Sequence, residues 1–283
     1  MSNNTTRFSD RVEDYVKYRP HYPEAVLVYL SSVYSFDPSW DVADIGSGTG
    51  ISTELFLRNG NRVYAVEPNA AMRGKAEELL GHYTGAVAGP VVDPLGKPAA
   101  ASTNRPVAAH NTTAGRFISI DGTAEATGLA AESIQLIIAG QAFHWFDPVA
   151  SKAEFTRILR PGGVAALIWN ERLADTPFER EYDALIERYG KDYKTTNHRN
   201  IADLQIADFF HPAAVRLAQF ANEQKFDFEG LKGRLLSSSY IPKEGPDYPA
   251  MLQDLEQLFV RHQSTGEVRV GYDTRVYSGV FKT

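Results

Sequence analysis

Cysteine is absent from the 283 residues of the chain, which excludes a disulfide scaffold, a thiolate metal site and a cysteine nucleophile. Basic residues are too few to grip nucleic acid, because 29 Lys and Arg stand against 35 Asp and Glu, a net charge of −6. No apolar run reaches the ~18 residues of a membrane-spanning helix, and the seven His residues form no close ligand pair for a metal. We therefore expect a cytoplasmic protein with a small-molecule partner and neither a nucleic-acid partner nor a membrane span.

Helical and strand patterns alternate along the chain from about residue 23. The predicted strands are Asp41–Ile45, Arg62–Val66, Phe117–Ile120 and residues 134–139 and 164–169. After Asn170 the rhythm loosens, with helical patterns at residues 177–189 and 248–263 and strand patterns at residues 215–220 and 275–281. Strands that alternate with helices predict an α/β fold, in which a parallel sheet is covered on both faces.

Residues 84–115 do not follow this alternation. The segment contains Pro90, Pro94, Pro98 and Pro106 and no aromatic residue. Such a composition buries too little apolar surface to offset the entropy of ordering the chain. We interpret it as a flexible surface insertion between a helix and the third strand.

A glycine-rich turn follows the first strand and precedes a helix, in the sequence Gly46-Ser47-Gly48-Thr49-Gly50. Glycines at this place let the backbone approach a ligand, and the free N–H groups of the helix start favour an electronegative group. Glu67 closes the second strand, where a carboxylate can accept hydrogen bonds from both hydroxyls of a ribose. Residues 121–125 close the third strand, beside the expected place of an adenine ring. Three suitable loops on one sheet edge predict a nucleoside-containing ligand.

Two familiar nucleotide-binding motifs fit this turn poorly. The nicotinamide dinucleotide fingerprint G-x-G-x-x-G/A requires Gly or Ala where this chain has Ile51. A P-loop requires Gly-Lys followed by Ser or Thr, and that sequence does not follow the glycines.

The order of the motifs resembles that of class I S-adenosylmethionine-dependent methyltransferases. The resemblance rests on residues 44–50, 67–69, 121–125, 141–146 and 160–163, and it covers roughly residues 8–170. The set of motifs is similar to that of the small-molecule branch, which includes the ubiquinone-biosynthesis and trans-aconitate methyltransferases. It implies a Rossmann-like, doubly wound sheet of seven strands, mostly parallel with an antiparallel last strand, for which residues 275–281 are the candidate.

The resemblance also implies the cofactor, S-adenosyl-L-methionine, with S-adenosyl-L-homocysteine as the product. It assigns the methionine portion to Asp44 and to the backbone of Gly46, Ser47, Gly48, Thr49 and Gly50. It gives the ribose to Glu67, the adenine face to Met72 and the adenine edge to Thr123 and Ala124. The family often has Asp at the position of Thr123, whose hydroxyl can still accept a hydrogen bond without charge assistance. Tyr15 and Arg19 are expected to close the site and to pair with the methionine carboxylate.

The predicted organisation is a single domain over residues 1–283. Residues 1–35 are expected to cover the cofactor, and residues 36–170 form the cofactor-binding core, with the insertion at residues 84–115. Residues 171–283 are expected to complete the sheet and to supply helices on the substrate side.

The acceptor side is predicted from three residues after the fourth strand, Gln141, His144 and Trp145. His144 could act as a general base near neutral pH, or it could be a histidine packed beneath Trp145 and satisfied by a backbone carbonyl. Arg172, after the fifth strand, is a candidate cation for an anionic acceptor.

The predicted function is methyl transfer to the carboxylate, hydroxyl or acidic carbon of a small molecule. Two alternatives stay open at this point. One is a regulatory protein that binds S-adenosylmethionine without turnover, and the other is an NAD-linked oxidoreductase.

Overall fold

A seven-stranded sheet with the order β3-β2-β1-β4-β5-β7-β6 organises the protein. The computed structural model describes residues 12–84, 115–191 and 203–281. The strands are β1 (Asp41–Ile45), β2 (Arg62–Val66), β3 (Phe117–Ile120), β4 (Ile134–Gly140), β5 (Leu159–Arg172), β6 (Arg216–Phe226) and β7 (Val268–Val280). The pairs among β1 to β5 are parallel, whereas β7 runs antiparallel to both β5 and β6. The expected mostly parallel sheet with an antiparallel last strand is confirmed.

The α-helices of the described ranges follow most of the expected alternation. They are α1 (Val12–Tyr18), α2 (Ala25–Tyr34), α3 (Ile51–Asn59), α4 (Ala70–Leu80), α5 (Pro148–Ile158), α6 (Pro177–Tyr189), α7 (Asp203–Phe210), α8 (Phe228–Leu236) and α9 (Tyr248–His262). Short 3₁₀ helices lie at Gly81–Tyr83 and Phe143–Trp145. None of the helices in the part of the chain that the structure describes is long and apolar enough to cross a membrane.

Helix starts coincide with the capping residues that the sequence carries. The Asn69 side chain accepts hydrogen bonds from the N–H groups of Ala71 and Met72 at the start of α4. The Asp147 side chain does the same for Val149 and Ala150 at the start of α5, where Pro148 is the first helical residue. These caps satisfy N–H groups that have no partner within the helix, and they fix where each helix leaves the sheet edge.

Apolar side chains pack on both faces of the sheet and in a third cluster beyond it. The third cluster joins helices α6, α8 and α9 to the end of β6 and the start of β7, with Tyr182, Leu231 and Met251 fully buried. Because β6 and β7 run past the part of the sheet formed by β1 to β4, this cluster builds a wall above the carboxyl end of β5. That wall forms one side of the cavity described below.

The order of the strands changes direction between β1 and β4. These two strands are neighbours in the sheet but not in the sequence. Loops from these two strands leave the sheet in opposite directions and open a crevice at their carboxyl ends. The glycine-rich turn after β1 and the segment after β4 therefore face each other across this crevice.

The predicted insertion lies almost entirely outside the described residues, which omit residues 85–114. Its two ends are nevertheless adjacent, because the N–H of Arg116 donates a hydrogen bond to the carbonyl oxygen of Tyr83 at 3.0 Å.

Candidate active site

The turn after β1 is folded tightly against β2 and α4. The N–H groups of Gly46 and Ser47 both donate to the carbonyl oxygen of Val66, at 2.9 and 3.2 Å. Gly50 has φ = 89°, and a Cβ at this position would lie 2.5 Å from a methyl carbon of Leu80. Since only glycine combines that conformation with that clearance, the turn holds its shape at the mouth of the crevice.

Asp44 lies behind this turn and is fully buried. Its Oδ2 accepts hydrogen bonds from the hydroxyls of Ser52 and Thr53, at 2.7 and 2.6 Å. Burial raises the pKa of the Asp44 carboxyl to about 6, although both hydroxyl bonds oppose the shift. The other oxygen, Oδ1, has no hydrogen-bond partner among the described residues. A buried carboxylate oxygen without a donor favours a nearby cationic group.

Glu67 stands at the end of β2 with its carboxylate held by two backbone donors. Its Oε2 accepts from the N–H of Gly48 at 2.9 Å, and its Oε1 accepts from the N–H of Asn69 at 2.8 Å. Burial raises the pKa of Glu67, while these two hydrogen bonds act in the opposite direction. Each carboxylate oxygen keeps a further lone pair, so the group can still accept two hydrogen bonds from a diol.

The loop after β3 brings Thr123 and Ala124 to the same cavity. Backbone hydrogen bonds of 3.2 Å in both directions join Thr123 to Ala126. The carboxylate of Glu154, on α5, accepts from the N–H of Thr127 at 2.9 Å and from its hydroxyl at 2.5 Å. The loop is therefore fastened at its base to a helix of the core.

Gln141 and His144 lie on the segment that follows β4, across the crevice from the glycine-rich turn. Gln141 has φ = 55°, a left-handed conformation that is uncommon for a residue with a side chain. Its side-chain amide donates to the carbonyl oxygen of Asn170 at 3.1 Å. The rings of His144 and Trp145 lie 4.7 Å apart, tilted by 46°. Strained residues of this kind are concentrated at functional sites.

The chain before α2 passes over the carboxyl ends of β5 and β6. The side-chain amide of Asn222 donates to the carbonyl oxygen of His21 at 2.8 Å. Arg19 donates to the carbonyl oxygen of Ser237 at 3.0 Å, and its guanidinium lies 4.9 Å from the centre of the Tyr15 ring. Tyr15 and Arg19 thereby form part of the roof of the crevice.

These elements enclose a cavity of about 320 Å³. The predicted residues that line it are Tyr15, Arg19, Gly46, Ser47, Gly48, Glu67, Met72, Thr123, Ala124, Gln141, His144 and Trp145. Asp44, Thr49 and Gly50 do not line it but lie behind its wall, and their assignment to the cofactor stays a prediction. No cluster of His, Cys, Asp and Glu able to hold a metal is found in residues 12–84, 115–191 and 203–281.

Comparison with known proteins places this cavity in a family context. A family model described as a methyltransferase domain matches residues 92–167. An uncharacterized methyltransferase-like protein of Schizosaccharomyces pombe is 25% identical, with 96% of this chain and 94% of that protein covered. Among solved structures, a proposed type II methyltransferase of Anaeromyxobacter dehalogenans has a TM-score of 0.57 at 21% identity, covering 93% of this chain and 98% of that one. These similarities support the expected resemblance to the class I S-adenosylmethionine-dependent methyltransferases.

A further solved structure shows the same fold with the cofactor present. Phosphoethanolamine N-methyltransferase 2 of Haemonchus contortus, in complex with S-adenosyl-L-methionine, has a TM-score of 0.54 at 12% identity, covering 99% of this chain and 59% of that one. The prediction that the chain is a methyltransferase is confirmed. Its fold is that of its structural neighbours.

Several residues that line the cavity of the methyltransferase were not predicted from its sequence. They include Tyr22, Asn170, Arg234 and Tyr240. One signal for Arg234 was present, because this charged residue shares the apolar face of a short amphipathic helix with Leu231 and Leu235. Tyr240 follows that helix in an irregular segment, where periodicity carries no information about direction.

Proposed function

We propose that this methyltransferase transfers a methyl group from S-adenosylmethionine to a small-molecule acceptor. The observation that supports the proposal best is that the cofactor-side residue Glu67 and the acceptor-side residues Gln141 and His144 line one cavity of about 320 Å³. A space of this size, roofed by residues before α2, accommodates small ligands better than a segment of a macromolecule.

The residues on the cofactor side fit S-adenosylmethionine. The hydroxyl of Ser47 is buried without a hydrogen-bond partner among the described residues, and Ser47 lines the cavity together with Glu67. Glu67 would bind the ribose hydroxyls, while Met72 and Ala124 offer apolar surface to the adenine. Thr123 would accept from the adenine amino group, and Arg19 would pair with the methionine carboxylate.

The chain contributes orientation and exclusion of water to the transfer. When bound, S-adenosylmethionine supplies a methyl carbon that takes the lone pair of the acceptor, while the electron pair of the broken carbon–sulfur bond stays on sulfur. Gln141 and Trp145 would hold the acceptor against that carbon. For a hydroxyl or acidic carbon, His144 would accept the proton at an imidazole nitrogen. For a carboxylate no proton has to leave, and His144 would only position the acceptor.

A methylation assay with a deuterated methyl group tests the proposal. The protein is incubated with methyl-deuterated S-adenosylmethionine and a panel of carboxylic acids, phenols and quinone precursors, and the products are identified by mass spectrometry. We expect at least one small acceptor to gain the label with stoichiometric S-adenosylhomocysteine. Labelling confined to proteins or nucleic acids of a cell extract would contradict a small-molecule acceptor.

A further inference from the structure

The charges that line the cavity are unevenly distributed. Two carboxylates, Glu67 and Glu125, come from the loops after β2 and β3, on the cofactor side. Three guanidinium groups come from the opposite wall and the roof, and belong to Arg19, Arg172 and Arg234. The far end of the cavity is therefore cationic in a protein whose net charge is −6.

Arg172 has its charge balanced within the fold. Its guanidinium forms an ion pair with Asp183 on α6 and lies 5.5 Å from the centre of the Tyr182 ring. The residue is 9% exposed, and the carboxylate of Asp183 gives its guanidinium an anionic partner within the fold.

Arg234 and Arg19 have only neutral partners among the described residues. Arg234 is 5% exposed and donates to the hydroxyls of Tyr272 and Ser238, at 3.1 and 3.3 Å. Arg19 donates to a backbone carbonyl, and its Nε is buried without a partner in the described ranges. No carboxylate of these ranges lies within ion-pair distance of either guanidinium.

The pKa of Tyr240 responds to the positive charge of these arginines. Burial would raise the pKa of its phenol, but the positive charges of Arg172, Arg19 and Arg234, together with a hydrogen bond with Ser238, outweigh burial and lower it. Burial lowers the pKa of Arg19, and the charge of Arg234 adds to that shift. A buried cation such as Arg234 and a half-buried one such as Arg19 destabilise a protein by their mutual repulsion unless an anion lies between them. The cavity they line is open to a ligand.

We propose that the methyl acceptor is a carboxylic acid whose carboxylate binds between Arg234 and the hydroxyl of Tyr240. This inference rests on the proposed function, in which Arg19 pairs with the methionine carboxylate of the cofactor. With Arg172 balanced by Asp183, Arg234 is then the guanidinium left without an anion. One uncompensated positive charge matches one carboxylate, and the planar N–H groups that Arg234 still has available match the geometry of its two oxygens.

Binding of simple carboxylates to the complex with S-adenosylhomocysteine tests the assignment. Acetate, succinate and benzoate are titrated into the full chain saturated with S-adenosylhomocysteine, and acetamide, succinamide and benzamide serve as uncharged matches. The variants are Arg234→Met, Arg234→Lys and Tyr240→Phe. Arg216→Met is the control, since it removes the same charge from the exposed strand β6.

We expect at least one carboxylate to bind the wild-type complex more tightly than its amide. Arg234→Met should weaken that binding by at least about tenfold, and Tyr240→Phe by several-fold to about tenfold. Arg216→Met should leave it unchanged, and affinity for S-adenosylhomocysteine should change less than about twofold in all variants. Should Arg234→Met fail to fold, Arg234→Lys and Tyr240→Phe carry the test.

Equal binding of acids and amides, or carboxylate binding that Arg234 and Tyr240 do not affect, would overturn the inference. Tighter binding of inorganic phosphate than of any carboxylate would also overturn it. Absence of S-adenosylhomocysteine binding would instead refute the proposed function. The carboxylate titrations on the free protein would then test the site at Arg234 and Tyr240 by the same criteria.

Discussion

Glu67 shows how one side chain can shape the site and remain available to a ligand. Its two carboxylate oxygens each accept a backbone N–H, from Gly48 and Asn69, and so tie the glycine-rich turn to the start of α4. Glu67 and Ser47 line the same cavity, and each carboxylate oxygen of Glu67 keeps a lone pair for a ligand. A carboxylate held by fixed donors loses little further entropy when a ribose binds.

Replacement of Glu67 by Ala should weaken S-adenosylmethionine binding by about tenfold to a hundredfold, because a hydrogen bond to a charged group contributes roughly 1.5–3 kcal/mol. Isothermal titration calorimetry measures this change. Glu24→Ala, which removes an exposed carboxylate on α2's N-terminal side, is the control. An unchanged affinity in Glu67→Ala would refute the ribose assignment.

Substitution of His144 separates the classes of acceptor. With a carboxylate as the nucleophile, we expect His144→Ala to lower kcat modestly and the wild-type rate to be flat between about pH 6 and 8, since no proton has to be removed. A loss of about 10²–10⁴ in kcat, with a wild-type rate that falls at acid pH, would instead identify a base that acts on a hydroxyl or acidic carbon. Cofactor affinity should change little in either case.

At the scale of elements, the adenine-side loop depends on a carboxylate from α5. Glu154 receives two hydrogen bonds from Thr127 and an ion pair from Arg157, whose Nε lies 2.6 Å from Oε2. The guanidinium of Arg157 is the main cause that lowers the pKa of Glu154, to about 2. The loop with Thr123 and Ala124 is thus positioned by a side chain that does not itself line the cavity.

Acid should release this loop in a predictable range of pH. The folded pKa of Glu154 lies below its ordinary value of 4.5, so its contribution to stability is present above about pH 4.5 and is lost as the pH falls toward about 2. Glu154→Gln should lower the free energy of unfolding at neutral pH by about 1.5–3 kcal/mol and flatten its acid dependence. Urea unfolding at several pH values checks both effects, with the exposed Glu78→Gln as the control. Identical acid limbs for Glu154→Gln and the wild type would contradict the assignment.

At the scale of the whole molecule, the described residues on either side of the insertion are adjacent. Helix α4, the 3₁₀ turn Gly81–Tyr83 and strand β3 are already joined by the hydrogen bond from Arg116 to Tyr83. Bonding Thr84 directly to Gly115 would make this an ordinary four-residue turn, with the hydrogen bond from its last residue to its first.

Deletion of residues 85–114 should therefore preserve folding and cofactor affinity. Shortening a flexible loop changes the closure entropy by only about 0.6 kcal/mol per halving. Thermal unfolding and S-adenosylmethionine titration of the full and shortened chains test this expectation. A shortened protein that is insoluble, or that melts many degrees lower, would show that the segment packs on the domain.

The sequence by itself determined the features that arise from short-range physics. Strands β1, β2 and β3 begin and end at the predicted residues, because each is a buried apolar run between turn residues. The caps Asn69 and Asp147 fixed the starts of α4 and α5 for the same local reason. The glycine-rich turn and Glu67 were identifiable because the parallel fold places the ends of successive strands at one edge.

Only the tertiary structure decided the far side of the site. Strands β6 and β7 are longer than predicted, and helices α1, α7 and α8 were not predicted, because their stability comes from tertiary packing and not from local periodicity. Helix α7 packs on one face of the sheet, whereas α1 and α8 pack in the third apolar cluster. Arg19, Arg172 and Arg234 are separated by long stretches of sequence, and no spacing rule relates them. They meet because α8 packs beside the strand ends that the roof segment crosses. The charge of the acceptor subsite is thus a property of how distant segments fold together.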